Sequence, residues 1–154
     1  MTYRENYPIN MFGELRRNPM VEERQKEVDS RALQQMELGI FKEALENATD
    51  AIGMSTPQGL HYYQNKAFTD LFGIIGENPP ATLYCDEKIG KEVFRTIVDG
   101  ETWTGEVAMY AKDRRILSIL LRAYAIKDEQ GSIIGLVGIH TDITERKLAE
   151  EALR

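Results

Sequence analysis

The sequence is poor in the residues that usually carry chemistry. It has one cysteine, Cys85, and two histidines, His61 and His140, in 154 residues. A single cysteine excludes an internal disulfide and fits a reducing compartment. Together these three residues are too few and too scattered for a metal site with Cys/His spacing. There is no Walker loop, nucleophile elbow or glycine-rich phosphate loop. Positive charge is also short: 19 Lys and Arg stand against 25 Asp and Glu, a net charge of −6 with no basic stripe. That balance disfavours nucleic acid and anionic membrane as partners. No apolar run approaches the ~20 residues of a membrane span. The N-terminus lacks the basic-then-apolar order of a signal peptide. The expectation is a cytoplasmic chain with no catalytic constellation of its own.

A hydrophobic share of 42% and a charged share of 29% suit one soluble domain plus flanking elements. Residues 1–19 hold Pro8, Gly13 and Pro19 without a clear period and read as an irregular arm. Residues 20–48 read as an N-terminal amphipathic helix, with Leu33, Met36, Ile40, Phe41, Ala44, Leu45 and Ala48 at three- and four-residue steps. That stripe is expected to cover the outer face of a sheet. The sparser upstream part, with Val21 and Val28, reads equally well as a dimer seam or a solvated helix.

From residue 49 to 144 the pattern is that of short strands and helices. Ala51–Ser55 and Leu60–Gln64 form a hairpin through Thr56-Pro57-Gln58-Gly59, with proline second and glycine fourth in the turn. Asn65 is placed to cap a helix over Lys66–Phe72 that Gly73 ends. A loop-rich stretch over 73–86 and a helix over Lys88–Val98 follow. Strands are expected over Glu101–Ala111, Ile116–Ile126 and Ile133–His140, the second alternating cleanly. The third, apolar on both faces, is expected at the centre of the sheet, with the N-terminal helix on its outer side. The order implies an α+β fold, a five-stranded antiparallel sheet with helices inserted between strands two and three. A charged helix, 145–154, closes the chain without a stop signal, so a longer parent is expected.

The junction Gly138–Lys147 organises all of this. There an apolar β-type run becomes a helical one within about four residues. Thr141, Asp142 and Thr144 offer side-chain oxygens to the free N–H groups of a first helical turn. Asp142 with Glu145 fits an acidic capping box.

The run Asp142-Ile143-Thr144-Glu145-Arg146-Lys147 resembles the "DIT-E-R-K" end of PAS domains with their C-terminal PAC motif. Gly59–Asn65 followed by Lys66-Ala67-Phe68 resembles that family's "G-x-I-x-Y-x-N-x-A-F" stretch, and Trp103-Thr104-Gly105-Glu106 its "W-x-G-E". Lys112-Asp113 and Asp128-Glu129-Gln130-Gly131 occupy the family's two hairpin turns. Thr141 stands where arginine is usual, Arg114 where the first turn usually has glycine, and Ala125 where proline is usual. The resemblance, over about residues 41–147, implies a PAS-like fold and a sensory module of a larger signalling protein. A sensor histidine kinase of a two-component system is the expected parent, with a diguanylate cyclase as the other option. Asp142, Thr144 and Glu145 are then the expected signal relay into an output domain C-terminal to this chain. The resemblance also implies a homodimer through the flanking helices. The alternative is a PAS module that holds no ligand and serves only dimerisation or protein interaction.

A possible small-molecule ligand would face the inner side of the sheet. Strand alternation places His61 and Tyr63 on one face, and Phe72, Tyr84, Phe94, Trp103, Met109 and Leu121 are the further candidates for a pocket wall. For His61 the other reading is a position near the sheet edge with a water or backbone partner, and for the aromatics it is plain core. The cofactor stays unknown. Tyr84-Cys85-Asp86-Glu87 does not match the "N-C-R-F" of flavin-binding LOV domains, and Ile89–Val98 has no histidine for haem.

Overall fold

A computed structural model of the chain describes residues 18–76 and 80–154. The irregular arm expected over 1–19 therefore lies outside the described residues except for its last two. Helix α1 spans Pro19–Glu46. It begins where it does because the Asn18 side chain accepts from the backbone N–H of Met20 (3.1 Å) and Pro19 takes the first helical position, where a missing N–H costs nothing. Then come β1 (Ala51–Ser55), β2 (His61–Gln64), α2 (Lys66–Phe72), a 3-10 turn at Pro80–Leu83, and α3 (Glu87–Val98). Strands β3 (Trp103–Tyr110), β4 (Ile116–Lys127) and β5 (Ile133–Asp142) lead into α4 (Thr144–Ala152).

The sheet is antiparallel throughout, in the order β2-β1-β5-β4-β3. The five-stranded α+β arrangement expected from the sequence is present, with β5 at its centre. On β4, Leu117, Ile119, Leu121 and Ala123 are buried on one face and join Phe68, Phe72, Val93, Ile97 and Met109 in a single core. That inner face is covered by α2 and α3.

Asn65 shows why the hairpin and α2 are held so firmly. It is fully buried, and its Oδ1 accepts from the N–H groups of Phe68 (3.0 Å) and Ile52 (2.9 Å). Its Nδ2 donates to the carbonyls of Leu45 (2.8 Å) and Asp50 (3.0 Å). One amide thus caps α2, starts β1 and ties down the end of α1. Without it the N–H groups of Ile52 and Phe68 would be buried polar groups lacking this acceptor.

Three expectations need correction. The stripe expected to be buried is exposed over most of its length: every residue from Pro19 to Ala44 is exposed, Met36 at 62% and Phe41 at 65%, and only Leu45 and Ala48 at its end are half-buried. Three- and four-residue spacing establishes an apolar face and says nothing of what covers it, and a seam with another chain satisfies it equally well. Ile134, on β5, is exposed as well. Second, His61 and Tyr63 do not share a face. The β1–β2 register is irregular between Met54 and Ser55, so that Met54 opposes Tyr63 while Ser55 opposes His61. A bulge breaks strict alternation, and His61 sides with Gln64 instead. Third, α4 begins at Thr144 with Ile143 in the cap position and no side-chain cap on it, so Asp142 and Glu145 are not spaced as a capping box.

Candidate functional site

The inner face of the sheet and α3 enclose a cleft of about 590 Å³. Its floor is built from the central strands: Gly53 and Ser55 of β1, Leu136, Gly138 and His140 of β5, and Leu121 and Ala123 of β4. Phe68 closes one end, and Val93, Phe94 and Ile97 of α3 form the wall. The β1–β2 turn completes the rim. Its Gly59 N–H donates to the Thr56 carbonyl (2.8 Å), and at φ +88° Gly59 holds a conformation that favours glycine. A Cβ there would also come within 3.0 Å of the Phe94 ring.

Of the residues singled out from the sequence, Tyr84, Phe94 and Leu121 line this cleft. Burial raises the Tyr84 hydroxyl's pKa, and the ring packs closely against Gly90, where a Cβ would sit 2.9 Å from it. Met109 is fully buried in the core, and Phe72 packs against Phe68, ring centroids 4.9 Å apart. Trp103 is half-buried at the start of β3, its Nε1–H donating to Glu92 Oε1 at 3.2 Å. The Tyr63 hydroxyl donates to Glu46 Oε1 (2.9 Å); desolvation first and then that carboxylate push its pKa up to about 12.

His61 lies on the edge strand, yet its ring is turned inward and stacks on Phe68 at 5.5 Å. The Gln64 amide nitrogen donates to Thr69 Oγ1 (2.7 Å) and the Gly73 carbonyl (2.9 Å). Its Oε1 is therefore the acceptor that faces His61, and His61 Nε2–H donates to it at 3.0 Å. That leaves Nδ1 buried and without a partner among the described residues. Desolvation holds the His61 pKa below its ordinary value against the opposing pull of Gln64.

The sequence reading passed over His140, which the structure places in the cleft floor. Its Nδ1–H donates to the Ala51 carbonyl (3.0 Å), and its ring meets those of Phe68 and Phe72 edge-on at 5.5 and 5.4 Å. Burial drives its pKa down to about 4, although the Ala51 and Gly138 backbone bonds oppose the shift. Only the tertiary pairing of β5 with β1 creates that environment. Nothing local to His140 announces it beyond its place in an apolar strand.

At the far end of β5 the expected relay residues fall into two groups. Asp142 Oδ1 accepts from the Thr144 N–H (3.0 Å) and hydroxyl (2.6 Å). The same Thr144 Oγ1 accepts from the Ser118 N–H (3.0 Å), and the Ile143 N–H donates to the Ser118 carbonyl (2.9 Å). The first turn of α4 is thereby fastened to β4 at Ser118. Glu145 is exposed and takes no part in this bonding. The next two residues do: Lys147 Nζ donates to Glu106 Oε2 (2.5 Å) and Arg146 stands 3.7 Å from Glu106 Oε1, joining α4 to β3. The hydrogen bond from Lys147, then its charge, hold the Glu106 carboxyl below its ordinary pKa. Among the described residues there is no group of three metal-ligating side chains, and no helix is long and apolar enough to cross a membrane.

Residues 49–145 match the PAS domain family. Among curated proteins, the nitrogen fixation regulatory protein of Klebsiella pneumoniae is 24% identical over 144 residues, covering 89% of this chain. The chain spans only 29% of that relative's length. The crystal structure of a PAS domain from Colwellia psychrerythraea superimposes with a TM-score of 0.62 at 27% identity, covering 71% of this chain and 98% of that one. A domain of a sensory box sensor histidine kinase/response regulator from Geobacter sulfurreducens gives 0.59 at 19% identity, covering 71% and 96%. Sheet order, inserted helices and this match over most of the folded region agree: the chain belongs to the PAS domain family.

Proposed function

We propose that this PAS domain is the sensory relay of a larger signalling protein, with the cleft as its input and α4 as its output. The observation that carries this reading is the course of β5. The strand contributes Leu136 and His140 to the cleft floor and, two residues after His140, places Asp142 against the start of α4. A ligand that displaces the floor therefore acts on a strand whose next residues set the angle of a helix. Ser118 and Glu106 extend the same connection to β4 and β3. The output domain would follow α4, a sensor histidine kinase by preference and a diguanylate cyclase otherwise. The likeness to a sensor kinase domain and to a nitrogen fixation regulatory protein supports a signalling parent in general terms.

Replacing Asp142 by Ala tests the relay. It removes acceptors from the Thr144 N–H and hydroxyl, a loss of about 1 kcal/mol, so the domain should still fold. The expected result is a full-length protein whose output no longer follows its input. A dose–response identical to that of the unaltered protein would reject the relay through this junction.

The exposed stripe on α1 favours a second reading, a module for dimerisation that holds no ligand. Native mass spectrometry on protein purified without added ligand separates the two, since a bound small-molecule mass would decide for the sensor.

A further inference from the structure

The cleft has a charge pattern unlike the chain's own. Acidic residues outnumber basic ones overall, 25 to 19, yet no Asp or Glu lines the cleft, whereas Lys91 and Arg95 do. Both cations are exposed and lie one turn apart on α3, so they stand at the mouth rather than in the interior. Lys91 is already paired with Glu87 at 3.0 Å. The Arg95 side chain has no hydrogen bond or ion pair among the described residues. Inside, the surface is apolar: Phe68, Leu121, Ala123 and Leu136, with His140 held neutral by burial. Two hydroxyls, those of Ser55 and Tyr84, line it as well, and neither has a partner among the described residues.

We propose that the cleft takes a small amphiphile with one anionic head, of the class of a medium-chain carboxylic acid. The apolar body lies over Phe68, Leu121 and Leu136, and the carboxylate is held at the mouth by Arg95 and Lys91. This rests on the reading of the cleft as the sensory site. A polyanion is disfavoured because its further carboxylates would be driven into a mostly apolar lining with no further cation, where only the neutral donors of Ser55, Tyr84 and Gln58 could meet them. A cation would meet Arg95 with no acid to receive it. A neutral apolar molecule would fill the interior and leave the guanidinium unused. A volume of about 590 Å³ is within the range of ordinary small-ligand sites.

Calorimetric titration of the intact chain with decanoate and with decanol separates head from tail. Decanoate should bind about five-fold more tightly than decanol at low salt, the scale of an exposed ion pair. That advantage should shrink as added salt shortens the screening length. Arg95→Gln should abolish it while leaving decanol affinity within two-fold. Ala123→Leu, or Val93→Phe should the first variant not fold, should weaken both ligands at least ten-fold by filling the cleft.

Equal binding of the two ligands would overturn the anionic head and leave an apolar sensory cleft standing. Decanoate binding that survives the filled cleft would place the ligand elsewhere and overturn the proposal. If neither ligand binds, the proposal also fails. Native mass spectrometry would then show whether the cleft holds a different molecule, keeping the sensory reading, or none.

Discussion

A single imidazole sets how this domain should respond to acid. His140 is neutral in the folded protein, with a pKa near 4, while in the unfolded chain it titrates near 6.5. Below pH 6.5 the unfolded chain therefore takes up a proton that the folded protein refuses. Stability is full above pH 6.5 and falls as the pH drops toward 4. Between pH 7 and pH 5 the loss should be about 2 kcal/mol, since each pH unit inside the window is worth about 1.4 kcal/mol. His61, whose pKa is also lowered, acts in the same direction. The depressed carboxylates Glu106 and Asp113 release their contribution at lower pH, so this window isolates the histidines. Urea unfolding at the two pH values should show most of the loss gone in His140→Asn, a change that keeps a side-chain donor for the Ala51 carbonyl. An undiminished slope in that variant would mean that His140 is not the group refusing the proton.

At the scale of elements, the β3–β4 turn joins sequence to strain. Arg114 has φ +71°, the only positive φ of a non-glycine residue among those described, at the position where the family usually has glycine. The turn closes through Ala111 N–H to the Arg115 carbonyl (2.8 Å) and Arg114 N–H to the Ala111 carbonyl (2.9 Å). The Arg114 guanidinium rests 5.0 Å from the Tyr110 ring centroid, a partial return for the strain. Both Arg114→Gly and Arg114→Ala lose that contact, but only the first relieves the backbone. The glycine variant should be more stable than the alanine variant by about 1 kcal/mol, the reverse of their order in a helix. Thermal unfolding of the pair checks this; alanine at or above glycine would mean the turn relaxes at no cost.

Such elements were legible because their signals are local. Asn65 and Gly73 bracket α2, Pro57 and Gly59 make the hairpin turn, and alternation fixes β4. The site was less legible because it is assembled by distant partners. Asn65 reads as a cap, but its bonds to Leu45 and Asp50 do not show in the spacing. The bulge that parts Tyr63 from His61 exists only once β2 has paired with β1. His140 owes its burial to a strand 89 residues away, and the start of α4 is decided by Ser118, 26 residues before Thr144.

For the whole molecule the outstanding question is what covers α1. Twenty-eight residues make a helix of about 42 Å. Leu33, Met36 and Ile40, three and four residues apart, form one apolar line, and every one of them is more than half exposed. An exposed line of this kind on one helix is a contact surface awaiting a partner, and a second copy offers the same line by symmetry. A net charge of −6 on each copy opposes the approach, so added salt should tighten the pair rather than loosen it. Sedimentation of the chain is expected to show a concentration-dependent dimer. Ile40→Glu sets a charge in the middle of the line and should weaken the dimer at least ten-fold while leaving the fold of residues 49–145 intact, because Ile40 is exposed in the single chain. A monomer at every concentration, or a dimer indifferent to Ile40→Glu, would show that this stripe is not where two copies meet.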